Sequence, residues 1–468
     1  MKRLHTIIYI ALLGIWITGC KKELDINTNP NQAAIPPMNG LLATTTYNTS
    51  LNVYHVSNIT SYFVQYLASP NANGATDTYE STDYSTTWQL LYYNMRDIHD
   101  LIEQATAAGA TKHVGAAEVM MAINLEMVND LWGSGPYTQA FNVNILQPAY
   151  TADDSIYTRC LLLLDDGIAQ LNKTGSRYDL DASKDLIHGG VTSAWIKTAY
   201  AVKARIFNHL TKKSNYDPTA VLTAIANAYT GNADDAQLLR FQSLSPWNGV
   251  AINNANNSLD GWLSTHFINA LNGKTFGIFD PRLPLMTDTT KFGDYRGTIN
   301  GAGRIGSGTN KEECYLTKNG FYSKSGAPLL VVTNAECRFI EAEAAFRSGD
   351  KNRAYQAYVR GITANMDKIG VDTAKRNAYL LNPAVGVGMT NITLDLILKE
   401  KYVAQFLHPD TWNDARRYDY QYKDFKLPVN AQLPAFIRRV AYPDTEKSRN
   451  GDHVPAVQLT DHIWWDGN

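Results

Sequence analysis

The sequence predicts a mostly α protein: a tetratricopeptide-like helical repeat scaffold carrying irregular, loop-rich lobes. Three observations carry this prediction. Apolar residues recur at helical spacing through much of the chain after residue 38. Small residues in 334–369 fall where two closely packed helices would meet. Two long stretches, 69–87 and 241–327, lack that periodicity yet are rich in Tyr, Trp, Gly and Asn, too aromatic for disorder.

Taken in order, the helical units begin with a pair over 85–130, whose second member covers 114–129. There Val119, Met120, Ile123, Leu125, Met127 and Val128 repeat at helical spacing. A second unit covers 156–171, and a third covers 191–210 with Thr192 and Ser193 as cap candidates. Asp217-Pro218 opens a helix to about 229, with proline at its favoured first position. In 334–369, Ala342 and Ala345 share one face, Gly349-Asp350 make the turn, and Ala354, Tyr358 and Gly361 line the returning helix. A last amphipathic helix spans 393–406 and continues into HPDTWNDARRYDY. Stacked units of this kind form a solenoid in which each helix buries its apolar face on the next.

The N-terminus has the order of a secretory signal. Lys2, Arg3 and His5 precede an apolar stretch from Ile7 to Ile17, and Thr18-Gly19 supply small residues before Cys20. As a helix this stretch is only about 16 Å long at ~1.5 Å per residue, against a hydrocarbon core of roughly 30 Å, so it does not read as a permanent span. Ile17-Thr18-Gly19-Cys20 resembles a lipobox. The chain therefore divides into a signal peptide at 1–19, a lipidated tether at 20–37 and one helical domain at 38–468. That domain holds a loop-rich insertion at about 241–327. Cys20 is the expected lipidation site, and two or more acyl chains anchor stably where one does not.

Composition excludes several classes. A formal charge of −2 with 18% charged residues leaves no electrostatic footprint for nucleic acid. Removing Cys20 leaves Cys160, Cys314 and Cys337, an odd number and so no disulfide scaffold. Cys314 and Cys337 could pair in an oxidising compartment, whereas Cys160, within a run of leucines, reads as a buried small hydrophobe. With 27 Tyr and 9 Trp there are rings enough for a core and for a binding surface.

No motif demands catalysis, a cofactor or a metal. Gly301-Ala302-Gly303-Arg304-Ile305-Gly306 has the letters of a dinucleotide fingerprint but neither the preceding strand nor the following helix, and reads as a glycine-rich loop. Asp179 to Asp185 alternates oxygen ligands like a calcium loop. However, Lys184 occupies the place of the turn glycine and Gly190 that of the bidentate Glu. Asp153-Asp154, Asp165-Asp166 and Asp234-Asp235 are sequence neighbours, which on a helix diverge rather than face each other as a glycosidase acid and base would.

Several strings together resemble the SusD/RagB family of outer-membrane nutrient-binding lipoproteins, in its shorter SusD-like subgroup. They are CKKELDINTNPN from Cys20, DLWGSGPYTQAF at 130–141, NAECRFIEAEAAFRSGD at 334–350 and EKYVAQFLHPDTWNDARRYDY at 400–420. FIRRVAYPDTEKSRN at 436–450 and Trp464-Trp465 complete the set, which extends over nearly the whole chain. Much of it also reads as structure: Trp132, Gly133, Pro136, Tyr137 and Phe141 fixing a helix exit and packing its loop, and Arg438, Arg439, Tyr442, Pro443, Glu446 and Asn450 forming a buried ionic and turn network. Lys21-Lys22 follow the cysteine where surface lipoproteins of the family often carry acidic residues, which leaves the leaflet open.

The resemblance implies a non-catalytic lid on a SusC-like TonB-dependent transporter, lipid-anchored in the outer membrane and facing outward, that binds an oligosaccharide. A peptide-binding lid, a glycoside hydrolase and a helical adaptor are the alternatives. By position it also implies a binding face on Tyr79, Tyr84 and Trp88 from the first loop, with Trp247, Trp262 and Tyr295 from the insertion. Asn73, Asp77, Asn253 and Arg296 are the polar partners. Sugar rings pack their C–H faces on such aromatics while amide and charged groups bond the hydroxyls.

Overall fold

A computed structural model describes residues 36–256, 261–306 and 311–467. The expected signal peptide, Cys20 and the tether up to residue 35 lie outside the described residues. Among the described residues no helix is long and apolar enough to cross a membrane.

The first helix, α1 (Met38–Phe63), is the longest described, yet its boundaries were not legible in the sequence. Its buried face mixes Leu41, Leu42, Val53, Val56, Ile59 and Phe63 with the polar Thr45, Thr46, Thr49, Ser50, Asn52 and Ser57. The polar groups tolerate burial because each finds an acceptor or donor. Thr45 and Thr46 donate to the carbonyls of Leu41 and Leu42, both at 2.8 Å, and Asn52 Nδ2 donates to Asn124 Oδ1 at 2.8 Å.

After β1 (Leu67–Ala68) and the first long loop come α2 (Ser85–Ala108) and α3 (Thr111–Trp132), turned by Gly109 at φ 68°. A short antiparallel pair, β2 (Gly135–Pro136) and β3 (Tyr150–Thr151), leads to α4 (Asp153–Asn172) and α5 (Thr192–His209). Residue Val191 caps α5 with no side-chain bond, so Thr192 is the first helical residue and not the cap. Next is α6 (Pro218–Ala226), capped by Asp217, which accepts from Thr219 N at 2.8 Å. It ends three residues earlier than its periodicity suggests, at the Asn227 cap.

The insertion is bracketed at its base. Before it stands β4 (Ala236–Leu238) and after it β6 (Leu329–Val332), and the two pair antiparallel, so the excursion leaves and returns at one place. Within it lie α7 (Pro246–Ala255), β5 (Trp262–Leu263) and α8 (Thr265–Leu271). β5 pairs with β1, stitching the insertion to the first loop. The scaffold resumes with α9 (Asn334–Arg347) and α10 (Lys351–Ile369), then α11 (Thr373–Leu381), α12 (Gly388–Asn391), α13 (Leu394–Ala404), α14 (Asp410–Arg417) and α15 (Asp444–Arg449).

Consecutive helices pack from α1 to α6, then α6 meets α9, α9 meets α10, and α13 lies against both of these. The α9–α10 pair is as close as its small residues predict. Ala342, Ala345, Ala354 and Tyr358 are fully buried. A Cβ on Gly361 would come within 2.9 Å of the Phe339 ring, so only glycine fits there without repacking.

The scaffold interior is charged as well as apolar. Arg205 on α5 pairs with Glu336 at 2.6 Å, and Arg417 on α14 pairs with Glu343 at 2.9 Å. Lys401 reaches Asp414 at 2.8 Å. Glu343 is buried, but Arg417 and Arg347 hold its acid well below the usual range. The string FIRRVAYPDTEKSRN forms the network its composition suggests. Arg438 bonds Asp466 at 2.7 Å, Tyr442 donates to Trp132 O at 2.8 Å, Tyr150 donates to Glu446 at 3.1 Å, and Asn450 donates to Pro148 O at 2.9 Å. The pairing of Cys314 and Cys337, left open by the sequence, is not formed. Both are free and buried, Cys314 in the insertion and Cys337 in α9.

Candidate functional site

The two aromatic loops meet at one carboxylate, and a third, C-terminal segment docks beside it. Asp77, almost completely buried, accepts from Ser69 N and Gly301 N, each at 2.9 Å, and from Asn300 Nδ2 at 2.6 Å. Burial pushes its pKa up to about 6, while these three donors pull the other way. Around this latch the backbones cross-bond: Asn73 N to Gly301 O at 2.9 Å, Arg304 N to Pro70 O at 3.0 Å, Val429 N to Asn300 O at 2.9 Å and Gln432 N to Thr78 O at 2.7 Å.

The glycine-rich string has its explanation here. A Cβ on Gly301 would fall 1.9 Å from Val429 O, and one on Gly303 would fall 2.4 Å from Ala72 N. Both residues have positive φ, 84° and 76°. The glycines let three chain segments touch, a role unrelated to phosphate.

The ring candidates separate by burial. Tyr79, Trp88, Trp247 and Trp262 are no more than 3% exposed, so none offers a free face. Trp88 packs against Tyr92 and Trp132 at 4.7 and 5.0 Å between centroids. Trp247 wedges edge-on against Tyr54 at 4.9 Å, Tyr79 meets Phe63 at 6.1 Å, and Trp262 lies between Tyr315 and the Arg304 guanidinium. Tyr79 and Trp247 thus hold their lobes to α1, Trp88 is scaffold core, and Trp262 packs within the insertion. Asp77 is likewise a latch. Tyr84 is partly covered, Asn253 is exposed on α7 apart from the latch, and Asn73 is exposed beside it, where its Oδ1 accepts from Asn430 Nδ2 at 2.8 Å.

Next to the junction, an open cleft lies beside α8. About 430 Å³ in volume, it is lined by Thr265, His266, Asn269, Thr275, Ile299, Asp424, Lys426 and Val429 among others. Burial pushes His266 down to about 4, so it presents a neutral imidazole. One turn further along, Asn272 bridges to Asn269 at 3.4 Å and donates to Tyr295 O at 3.1 Å. Tyr295 is half-buried against Phe279, 5.9 Å between centroids. Arg296 is exposed, its guanidinium 4.4 Å above the Phe292 ring and its Nε 2.6 Å from Asp294. Phe279 and Phe292 are about half exposed. Sequence reasoning missed these two. The available signal was a phenylalanine set among turn residues, as in Lys291-Phe292-Gly293, with no apolar neighbour at helix or strand spacing.

The neighbouring carboxylates are engaged elsewhere. Asp153 accepts from Trp464 N at 2.8 Å, Asp234 pairs with Lys197 at 2.7 Å, Asp165 pairs with Lys203, and Asp235 accepts from Asn334 N at 2.6 Å.

A SusD-like family model, described as starch-binding and associating with the outer membrane, matches residues 30–443. No curated protein matches the chain in sequence. Solved structures do match. A chitin-binding SusD homologue from Flavobacterium johnsoniae is 20% identical with a TM-score of 0.78, over 92% of this chain and 99% of that one. A SusD homologue from Bacteroides fragilis gives 0.76 at 19% identity over the same shares. A SusD/RagB family protein from Bacteroides thetaiotaomicron gives 0.74 at 21%, again over 92% and 99%. At these identities the likeness speaks for the fold alone.

Proposed function

The chain belongs to the SusD-like family of starch-binding proteins that associate with the outer membrane, and from that premise we propose a cell-surface lipoprotein that captures an oligosaccharide and passes it to a SusC-like TonB-dependent transporter. Membership makes it a carbohydrate-binding outer-membrane protein of a family whose members generally bind without turnover. The observation that supports the ligand placement is the open cleft beside α8, whose Asn269 is linked through Asn272 to the backbone of half-buried Tyr295, with the half-exposed rings of Phe279 and Phe292 close to Tyr295 and Arg296. Flat rings supply stacking faces, and Asn269, Asp424, Lys426 and Arg296 supply donors and acceptors for hydroxyls. Asn73, exposed on the same three-segment junction, is a further polar contact.

The chitin-binding neighbour makes chito-oligosaccharides the first probe, and the family description makes malto-oligosaccharides the second. A stacked ring contributes on the order of 1 kcal/mol, so Tyr295→Ala should weaken binding several-fold in calorimetry with an unchanged melting temperature. Binding that is identical in Tyr295→Ala and Arg296→Ala would move the site away from this face. Failure of every oligosaccharide, with peptide found in the natively purified protein, would replace the glycan by a peptide.

Membrane attachment is proposed through Cys20, and transporter association follows from the lid role. Cys20→Ala should leave the outer-membrane fraction, while the wild-type protein solubilised from that fraction should bring down a large barrel protein. Normal fractionation of the variant would end the anchor proposal; absence of a barrel partner would end the delivery proposal.

A further inference from the structure

Among the described residues, two groups bring three metal-ligating atoms within reach of one ion: Glu126, Asp130 and His209 inside the scaffold, and His99, Asp100 and Glu103 at the surface. The first is filled by protein. The Tyr157 hydroxyl stands 2.7 Å from Asp130 and 2.8 Å from His209 Nδ1, and Arg205 reaches to 3.4 Å from Glu126. A dication there would displace the phenol and face a buried guanidinium.

The second group is differently placed. His99, Asp100 and Glu103 share one turn of α2, and His99 and Glu103, four apart, point the same way. His99 Nδ1 lies 3.8 Å from Asp100 Oδ1 and 3.9 Å from Glu103 Oε2. Both separations exceed the ~2.7–3.2 Å of an N–H···O bond. Nδ1 is shielded from solvent and has no hydrogen-bond partner. One ion held at ~2.0–2.2 Å from an imidazole nitrogen and from carboxylate oxygens spans such gaps.

The ring is also oriented. Phe141 packs on the His99 imidazole at 5.1 Å and 32°. Arg96 holds that loop by donating to Phe141 O at 2.7 Å, and it pairs with Asp100 at 3.0 Å. His99 and Glu103 line a groove of about 740 Å³ whose other walls include Tyr137, Phe141 and Arg159.

We propose that His99 Nδ1 and the carboxylates of Asp100 and Glu103 form a divalent transition-metal site that takes Zn²⁺, with its remaining coordination position facing this groove. An imidazole ligand suits zinc, whereas calcium and magnesium sites are all-oxygen. The site is separate from the glycan cleft and independent of the glycan assignment.

The test is calorimetric titration of ZnCl₂ into tag-free protein, with the apo melting temperature of each variant as the folding control. One equivalent should bind and raise the melting temperature. His99→Ala should abolish it, and Glu103→Gln, at an exposed position, should weaken it. Phe141→Ala, which frees the ring, should cost about tenfold. His462→Ala should leave it intact, although His462 and Asp466 form a similar pair at 3.2 Å. No binding, binding that survives His99→Ala, or, if that variant does not fold, binding unchanged in Glu103→Gln would overturn the site. So would a loss seen in His462→Ala instead.

Discussion

Arg282→Met is expected to lower the unfolding free energy by roughly 3–5 kcal/mol, the cost of leaving buried charge without its partner. Arg282 is fully buried and bonds Asp280 in a bidentate fork, Nε to Oδ1 at 2.9 Å and Nη2 to Oδ2 at 2.6 Å. It also reaches Glu400 on α13 and donates to Asn365 on α10 at 3.2 Å. The guanidinium thus fastens the insertion to two scaffold helices. Methionine fills the volume and abandons both carboxylates; Glu400 retains Lys399, but Asp280 keeps no comparable cation among the described ion pairs. Arg282→Lys should fall between, keeping the charge and losing the fork.

The effect has a pH signature. Burial alone would raise the acid of Glu400, yet Lys399 and Arg282 hold it at about 2, below its ordinary 4.5. A depressed carboxylate contributes stability that is present above the unfolded value and lost as pH falls through the folded one. The difference between wild type and Arg282→Met should be full at pH 7 and shrink between about pH 4.5 and 2. Urea denaturation at pH 7 and pH 3 measures it; coincident curves at pH 7 would show that the fork holds nothing.

Asp77→Ala should open the junction on which the candidate cleft depends. Three donors lose their acceptor, and an unsatisfied buried donor costs about 1–3 kcal/mol, so a loss of several kcal/mol falls on the junction. Asp77→Asn should do little better. Ser69 N and Gly301 N both point at Oδ2 while Asn300 points at Oδ1, so an amide NH₂ must oppose a donor in either orientation. Amide exchange should accelerate at 69–78, 298–304 and 428–432 while α9 and α10 stay protected. Glycan affinity should drop although Asp77 itself is out of ligand reach. Unchanged exchange in those three segments would show that the loops are held by other contacts.

Helix pairs were legible because their information is local. A 3.6-residue period marks a buried face, Asp217 and Thr393 cap helices they immediately precede, and Ala342, Ala345 and Gly361 announce close approach before any partner is known. α1 was harder to bound because buried hydroxyls and amides, satisfied by its own carbonyls and by α3, interrupt its apolar residues and blur the period. By itself, then, the sequence determined the helical scaffold, the location of the long lobes, and the family to which its ordered strings belong. Only the tertiary structure decided which rings face water. In the lobes no period exists, and a ring's exposure is set by residues far along the chain: Tyr54 covers Trp247, and Tyr315 and Arg304 cover Trp262. Tyr295, with the same composition around it, stays half open. The same holds for Asp77, whose chemistry as a latch exists only once Ser69, Asn300 and Gly301 converge on it, because a buried carboxylate is defined by the donors that the fold brings to it.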